Sequence, residues 1–531
     1  MKSLRVHIPS ADPVQNPRQS SRIERMIAQQ VQTGIPRYFW PTLLLITFLS
    51  GTLRLYNLGT WSFWEDELFS IHAVTDAAPP STTGSTDIPS PPRFTRQWSK
   101  WLGYVPVEVG LRLSGADIDA ASNDRPHEWR AHGINEWRAR IGPCVVGILS
   151  IPLLALTSVR LIGPRAALIL ALLLAVSPWH LFWSQSSRFY TLQFLFYNLA
   201  FVTYFIATDQ SSRRIYLLAM ATVVLAYMSQ PSALLIGLIF AGDYLLGWLR
   251  REPVRLGIFG WSIGLAALMI CLGLHFRDSI VAAANWEKWA SLDGHSPMII
   301  VLGTIWENHV VIVAAALLTV AGLFFTRKRL MLYLLMGGVI PIIAIIALAG
   351  TGTYAHTRYG FPTHFSWLLL TAIGLDTAYQ TIASRYNVLF ASMSIAVVCF
   401  ALGLSDLTQL TSGYGLRRRW ADAFTYVRKH QRPGEQIVSE RTLIAQYYLE
   451  TEMLPDFPRS PQALASLDRP TWLVLPAVSA TRGELYPWLH ENCTFKAYFD
   501  VRVIQPFSSV RVFYYDPATA RSTHDGTSSQ P

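Results

Sequence analysis

The sequence predicts an all-α, polytopic membrane protein with a small C-terminal α/β domain outside the bilayer. Two observations carry that prediction. Of 531 residues, 51% are hydrophobic and only 15% are charged, whereas soluble chains carry ~25% charged residues. Long apolar runs also fill residues 38–405 and then stop, giving way to short mixed helix and strand patterns. The formal charge of +10 sits in short loops between apolar runs. That is the positive-inside pattern rather than a basic face for nucleic acid, so no nucleic-acid partner is expected. Four cysteines are too few for a disulfide framework, and no bridge is expected. Polar residues occupy the region where a cleavable signal would place its apolar stretch, so the first span is expected to act as its own insertion signal.

In order, residues 1–37 are polar and basic and read as a cytoplasmic tail. The first span covers 39–58. A polar loop, 59–139, follows, too long for a plain connector. Within it Phe94, Trp98, Trp101, Leu102 and Val105 share one helical face, which suits a helix at the membrane surface or one packed on the protein's own core. Further spans are read at 141–159, 166–184, 190–208, 214–230, 231–249, 256–275, 297–325, 330–350, 359–379 and 386–405. With the first, that makes about eleven. An odd count puts the basic loops and the N-terminus on one side and the long loop on the other. Gln230-Pro231 must then be a tight outer turn. Residues 406–516 read as the extracytoplasmic α/β domain, with a helix over 417–429 and strands at 436–439, 471–475, 497–504 and 510–515; a loose tail, 517–531, ends the chain.

The stretch most suited to chemistry is Trp61 to Ser70, directly after the first span. Glu65, Asp66 and Glu67 form an acidic triplet at a membrane exit, where charge is expensive. Two readings stand for it: a helix first turn that favours negative charge, or a reactive carboxylate. Adjacent helical residues point different ways, so Asp66 and Glu67 are not expected to serve one reacting atom.

Trp64-Glu65-Asp66-Glu67-Leu68-Phe69-Ser70 resembles the W-x-D-E-x-x-S signature in the first outer loop of GT-C membrane glycosyltransferases. The branch it resembles is that of the protein O-mannosyltransferases and the lipid A aminoarabinose transferases, which take a sugar from a polyprenyl-phosphate lipid. Three further stretches agree. Ser177-Pro178-Trp179-His180 through Ser184-Gln185-Ser186-Ser187-Arg188-Phe189-Tyr190 is similar to the family's S-P-x-H…S-Q-E-A-R-x-Y, with Ser186 and Ser187 replacing Glu-Ala. Arg358-Tyr359-Gly360-Phe361-Pro362 resembles R-Y-x-x-P, and Glu136 to Pro143 resembles E-x-x-x-R-L-P-S, aligning Arg140 with the family's Arg. The family's H-P-P-L-Y-Y has only a faint echo in Pro91-Pro92-Arg93-Phe94.

The resemblance implies a GT-C-like fold and an inverting glycosyltransferase whose partners are a polyprenyl-phosphate-linked sugar, membrane lipids, and a lipid, glycan or protein acceptor. It implies Asp66 as the base, with Glu67 beside it. Arg140, Arg188 and Arg358 are the candidates for the donor phosphate, since a guanidinium offers forked, charge-assisted hydrogen bonds. Gln185, Tyr190 and Tyr359 are candidate substrate-site residues. No cofactor is expected. A divalent metal at Asp117-Ile118-Asp119, the D-x-D of oligosaccharyltransferases, ranks below that, because the Trp-Trp-Asp triplet of those enzymes is missing. A transporter or flippase of lipid-linked sugars is the alternative, with Asp243 and His275 near span ends, and a silent scaffold subunit is a third reading.

Overall fold

The computed structural model describes residues 35–75, 101–121, 126–249, 296–411 and 417–518, with breaks at 325, 352–354, 452–453, 456, 459, 478–479, 481–484 and 501–508. The tail to residue 34, the segment 76–100 with the Pro91-Pro92 echo, and the span read at 256–275 with His275 lie outside the described residues.

Every other span read from the sequence is helical. They are α1 (Phe39–Leu55), α4 (Glu136–Ile162), the pair α5 (Pro164–Ala175) and α6 (Pro178–Ser184), α7 (Tyr190–Gln210), α8 (Arg213–Ser229), α9 (Ile236–Leu249), the pair α10 (Pro297–Glu307) and α11 (Val310–Leu323), α12 (Lys328–Gly350), α13 (His364–Arg385) and α14 (Val388–Thr411). Between α1 and α4 come α2 (Glu65–Thr75) and α3 (Trp101–Leu113). Among the described residues, four helical segments are long and apolar enough to cross a membrane, and up to six if each bent pair is one span. The apolar runs alone give about eleven over the whole chain; Phe39–Leu55 is too short to pass by itself, and two of the runs are the bent pairs. At Ser177-Pro178 the serine Oγ accepts from His180 N at 3.3 Å and the proline opens a new helix, so 166–184 bends by 61°. At Asn308-His309 the chain turns through a positive φ of 58°, and 297–325 bends by 84°. Gln230-Pro231 ends α8, and a 3₁₀ turn, Pro231–Leu235, leads into α9.

Helix α3 packs on the protein. A Cβ on Gly110 would sit 2.7 Å from Gly142 N, and one on Gly142 would sit 1.7 Å from Pro106 O, so glycine alone lets α3 and α4 cross this closely. At the end of the helices away from the acidic turn, Arg165 pairs with Asp376. Arg329 reaches Asp243 at 3.2 Å and Thr208 at 2.8 Å. Asp243, the described group that suggested transport, is therefore held by a structural cation.

The C-terminal domain begins with α15 (Trp420–His430) and holds β1 (Gln436–Ser439), α16 (Thr442–Leu449), β2 (Thr471–Pro476), β3 (Cys493–Phe499) and β4 (Val510–Tyr515). The strand order is β1-β2-β4-β3; β1 and β2 are parallel and the other pairings antiparallel. The third strand starts four residues before its expected position, because a short helix, Leu485–Asn492, runs straight into it. The domain is no separate body. Phe63, Leu68 and Ile71 beside the acidic triplet, Val107 and Leu111 of α3, and Trp129 and Ile134 of the loop share one buried core with Trp420, Phe424, Tyr447, Tyr448, Trp472 and Val512. Gly142→Ala is expected to force α3 off α4 and cost about 1–3 kcal/mol as overpacking, read as a lower unfolding midpoint of the purified protein.

Candidate active site

Glu65, Asp66 and Glu67 form the first turn of α2. A helix turns about 100° per residue, so the three carboxylates leave in three directions, and each meets different arginines.

Glu67 points inward and is fully buried. Arg140 binds it twice, Nε to Oε1 at 2.8 Å and Nη2 to Oε2 at 2.7 Å. The backbone N–H of Ser187 donates to Oε1 at 2.8 Å, and the Ser187 hydroxyl does so at 3.2 Å. Arg417 Nη1 lies 3.6 Å from Oε1. Oε2 also accepts from Trp64 N at 3.4 Å, the backward reach of a third-position glutamate to the start of its helix. Burial alone would raise the Glu67 pKa, but the charges of Arg140 and Arg417, the Arg140 hydrogen bonds and the Ser187 N–H outweigh it and hold it below its usual value. Burial and the like charge of Arg140 bring the Arg417 guanidinium down to about 9, with Glu67 opposing them.

Asp66 keeps 23% of its side chain exposed. Its Oδ2 accepts from Arg358 Nη1 at 2.6 Å, and Arg188 Nη2 lies 3.9 Å from the same oxygen. Arg188 also donates through Nη1 to the Asp66 carbonyl and to Ser70 Oγ at 2.9 Å, so it reads the backbone and the hydroxyl of the W-x-D-E-x-x-S stretch together. Tyr190 packs its ring 4.1 Å from Trp183, and Arg358 stands 5.8 Å over Trp64 and 5.9 Å over Tyr359. Arg188 and Arg358 thus converge on Asp66, with Tyr190 beside Arg188 and Tyr359 beside Arg358. Glu65 pairs with Arg441 of the C-terminal domain at 2.6 Å.

A model of the family described as dolichyl-phosphate-mannose-protein mannosyltransferase matches residues 131–274. No curated protein matches the chain by sequence. Among solved structures, ArnT from Cupriavidus metallidurans in the apo state aligns at 14% identity with a TM-score of 0.44, covering 91% of this chain and 98% of that one. The same protein bound to undecaprenyl phosphate aligns at 14% identity and 0.44, over 90% and 97%. The oligosaccharyltransferase of Archaeoglobus fulgidus, in complex with zinc and sulfate, aligns at 14% identity and 0.50, over 86% and 72%. The chain has the GT-C fold of membrane glycosyltransferases.

Within this GT-C frame, two residues expected near the substrate stand elsewhere. Arg140 is fully buried, and its N–H groups go to Glu67, to Leu58 O at 3.2 Å, Trp61 O at 2.8 Å and Ser62 O at 3.1 Å. A guanidinium so engaged holds the acidic loop. Gln185 donates its amide N–H groups to the carbonyls of Arg54 at 3.1 Å and Tyr56 at 2.9 Å, fastening the end of α1. The D-x-D carboxylates are also engaged: Asp119 is bidentate to Arg112 at 3.0 and 3.1 Å, and Asp117 accepts from Ala120 N at 3.0 Å. Among the described residues, no cluster of three metal-ligating side chains occurs.

The structure also places at these breaks and turns residues the sequence did not single out. Arg54, fully buried, donates to the carbonyls of Leu174 at 3.0 Å and Ala175 at 2.9 Å, at the break after α5. Its Nη2 also donates to His180 Nδ1 at 2.8 Å, leaving Nε2 to carry the proton toward Ser150 Oγ at 3.1 Å. The available signal was a lone Arg in the last turn of an apolar span, which equally suits snorkelling. Arg417 reads only as the start of the C-terminal domain and Arg441 carries no motif; their place at the acidic turn is found only through the fold.

Glu67→Gln is expected to cost about 3–5 kcal/mol, because it strands the Arg140 charge. The depressed pKa fixes the pH dependence. The stabilisation is fully present above the ordinary glutamate value of 4.5 and is lost as pH falls from there through the lower folded-state pKa. The gap between wild-type and Gln-variant unfolding midpoints should therefore close only below that pH.

Proposed function

We propose that the protein is an inverting glycosyltransferase that moves a sugar from a polyprenyl-phosphate donor to a hydroxyl or amine of a lipid, glycan or protein acceptor at the outer face of the membrane. One observation carries the reading: a part-exposed carboxylate, Asp66, meets both Arg358 and Arg188. The GT-C fold and the name of the matching family, whose donor is a dolichyl-phosphate sugar, support it.

Arriving phosphate competes for the Arg358 fork, because a charge-assisted guanidinium–phosphate contact replaces the guanidinium–carboxylate one. That releases Asp66 Oδ2 to take the acceptor proton as general base. The acceptor oxygen or nitrogen then bonds to the anomeric carbon as the carbon–oxygen bond to the phosphate breaks. The electron pair leaves on the lipid phosphate, where Arg358 and Arg188 face the developing charge. The isoprenoid tail stays in hydrocarbon, so the membrane itself aligns the donor with α2. Glu67, buried under Arg140, orients the turn. Tyr190 and Tyr359 flank the arginines and border the sugar. The chemistry assigned to these side chains needs no metal.

The test offers purified protein and an acceptor extract either a polyprenyl-phosphate sugar or the matching nucleotide sugar. Transfer from the lipid-linked donor alone is expected, and transfer from the nucleotide sugar without lipid carrier would overturn the donor assignment. In the same assay Asp66→Asn is expected to lower turnover about 100-fold or more while the protein stays folded. Arg358→Ala should raise the donor KM more than Arg358→Lys, which keeps the charge and loses the fork. Near-full turnover by Asp66→Asn would place the base elsewhere.

A further inference from the structure

We propose that the C-terminal α/β domain is part of the catalytic apparatus, and that Arg441 is a positioning residue for Asp66. The proposal rests on the reading of Asp66 as the base. Its ground is the density of contacts that this domain makes on one short segment, residues 62–67. Ser62 Oγ accepts the N–H of Ala421 at 3.0 Å. The Tyr448 hydroxyl accepts the N–H of Phe63 at 2.7 Å and donates to Glu136 Oε1 at 2.7 Å. Arg441 holds Glu65 at 2.6 Å, and Arg417, at the start of the domain, stands 3.6 Å from Glu67. Contacts thus fall before, on both sides of, and directly beside Asp66.

The chain of support behind Arg441 is stiff. Its backbone N–H donates to Ser439 Oγ at 3.2 Å, and that hydroxyl donates to Val474 O at 3.1 Å across the β1–β2 pair. The guanidinium is therefore referenced to the sheet, and through Glu65 it passes that reference to the next residue, Asp66. From the other side Arg358 and Arg188, which belong to the membrane domain, meet the Asp66 carboxylate. The base is thus held between two sets of contacts: the membrane-domain arginines meet its carboxylate, and the C-terminal domain fixes where the turn of α2 stands relative to them. Misplacing a reacting group by about 1 Å costs on the order of a hundredfold in rate. The Arg441–Glu65 pair is still 23% and 29% exposed, and such pairs add little to global stability. A positioning role and a merely structural one therefore make different predictions.

The experiment uses the full-length protein in detergent with a polyprenyl-phosphate sugar and compares Arg441→Ala, Arg441→Lys and Asp66→Asn with wild type. Arg441→Ala is expected to lower kcat roughly ten- to a hundredfold, with donor KM and unfolding midpoint close to wild type. Arg441→Lys should recover most of the loss by keeping the cation over Glu65. Wild-type kcat in Arg441→Ala, with Asp66→Asn inactive, would overturn the positioning role and leave the base assignment standing. So would a kcat loss that follows a fallen unfolding midpoint in both Ala and Lys variants. An active Asp66→Asn would overturn the base assignment and the positioning role together.

Discussion

The buried pair of Glu67 and Arg140 is the interaction on which the site depends. Taking both charges out of water is costly, and the pair is tolerable because its geometry is complete: two parallel hydrogen bonds, with the remaining guanidinium N–H groups on three backbone carbonyls and the remaining carboxylate capacity on Ser187 and Trp64. Those acceptors are the carbonyls of Leu58, Trp61 and Ser62, so one side chain of α4 fixes the whole path from the end of α1 to the start of α2. That path determines where Asp66 emerges.

The pair also explains why three adjacent acids can coexist. Like charges one residue apart repel, but helical geometry sends each to its own cation: Glu67 to Arg140 and Arg417 in the interior, Asp66 to Arg358 and Arg188, Glu65 to Arg441 in the C-terminal domain. The two readings that the residues alone left open, helix first turn and reactive carboxylate, are therefore compatible. Glu67 serves the turn, and Asp66 is the one that meets Arg358 and Arg188.

Much of this was legible in the sequence. The apolar runs gave helices wherever the chain is described, because hydrophobic length is a local property. The arginines of the R-x-Y and R-Y-x-x-P stretches came together around Asp66, because they sit at the same end of their helices. What was not legible is the division of labour among like residues. Arg140 and Arg188 look equal in sequence, yet one is fully enclosed and the other lies on the part-exposed Asp66 carboxylate, and only packing decides which. Likewise, Ser186 and Ser187 stand where the resembling family has Glu-Ala, and the sequence assigns them no role. The structure shows both serines at work: Ser187 binds Glu67, and Ser186 Oγ accepts from Arg417 at 2.6 Å. Arg54 was missed because a cation near a span end usually reaches for water, and here it serves carbonyls at a helix break instead.

The charge balance at Asp66 bears on the proposed donor. Two arginines, Arg358 and Arg188, stand on this one carboxylate, an excess of one positive charge, while Arg140 and Arg417 stand on Glu67 and Arg441 is shared between Glu65 and Glu440. In the proposed reaction the phosphodiester donor brings one negative charge, and its leaving group, a phosphomonoester, carries close to two at neutral pH. As Asp66 takes the acceptor proton its own charge is lost, so the excess at the two arginines rises to two while the second phosphate charge develops. An interaction accelerates reaction only when it is stronger in the transition state than in the ground state, and this coupling places the added attraction at bond breaking.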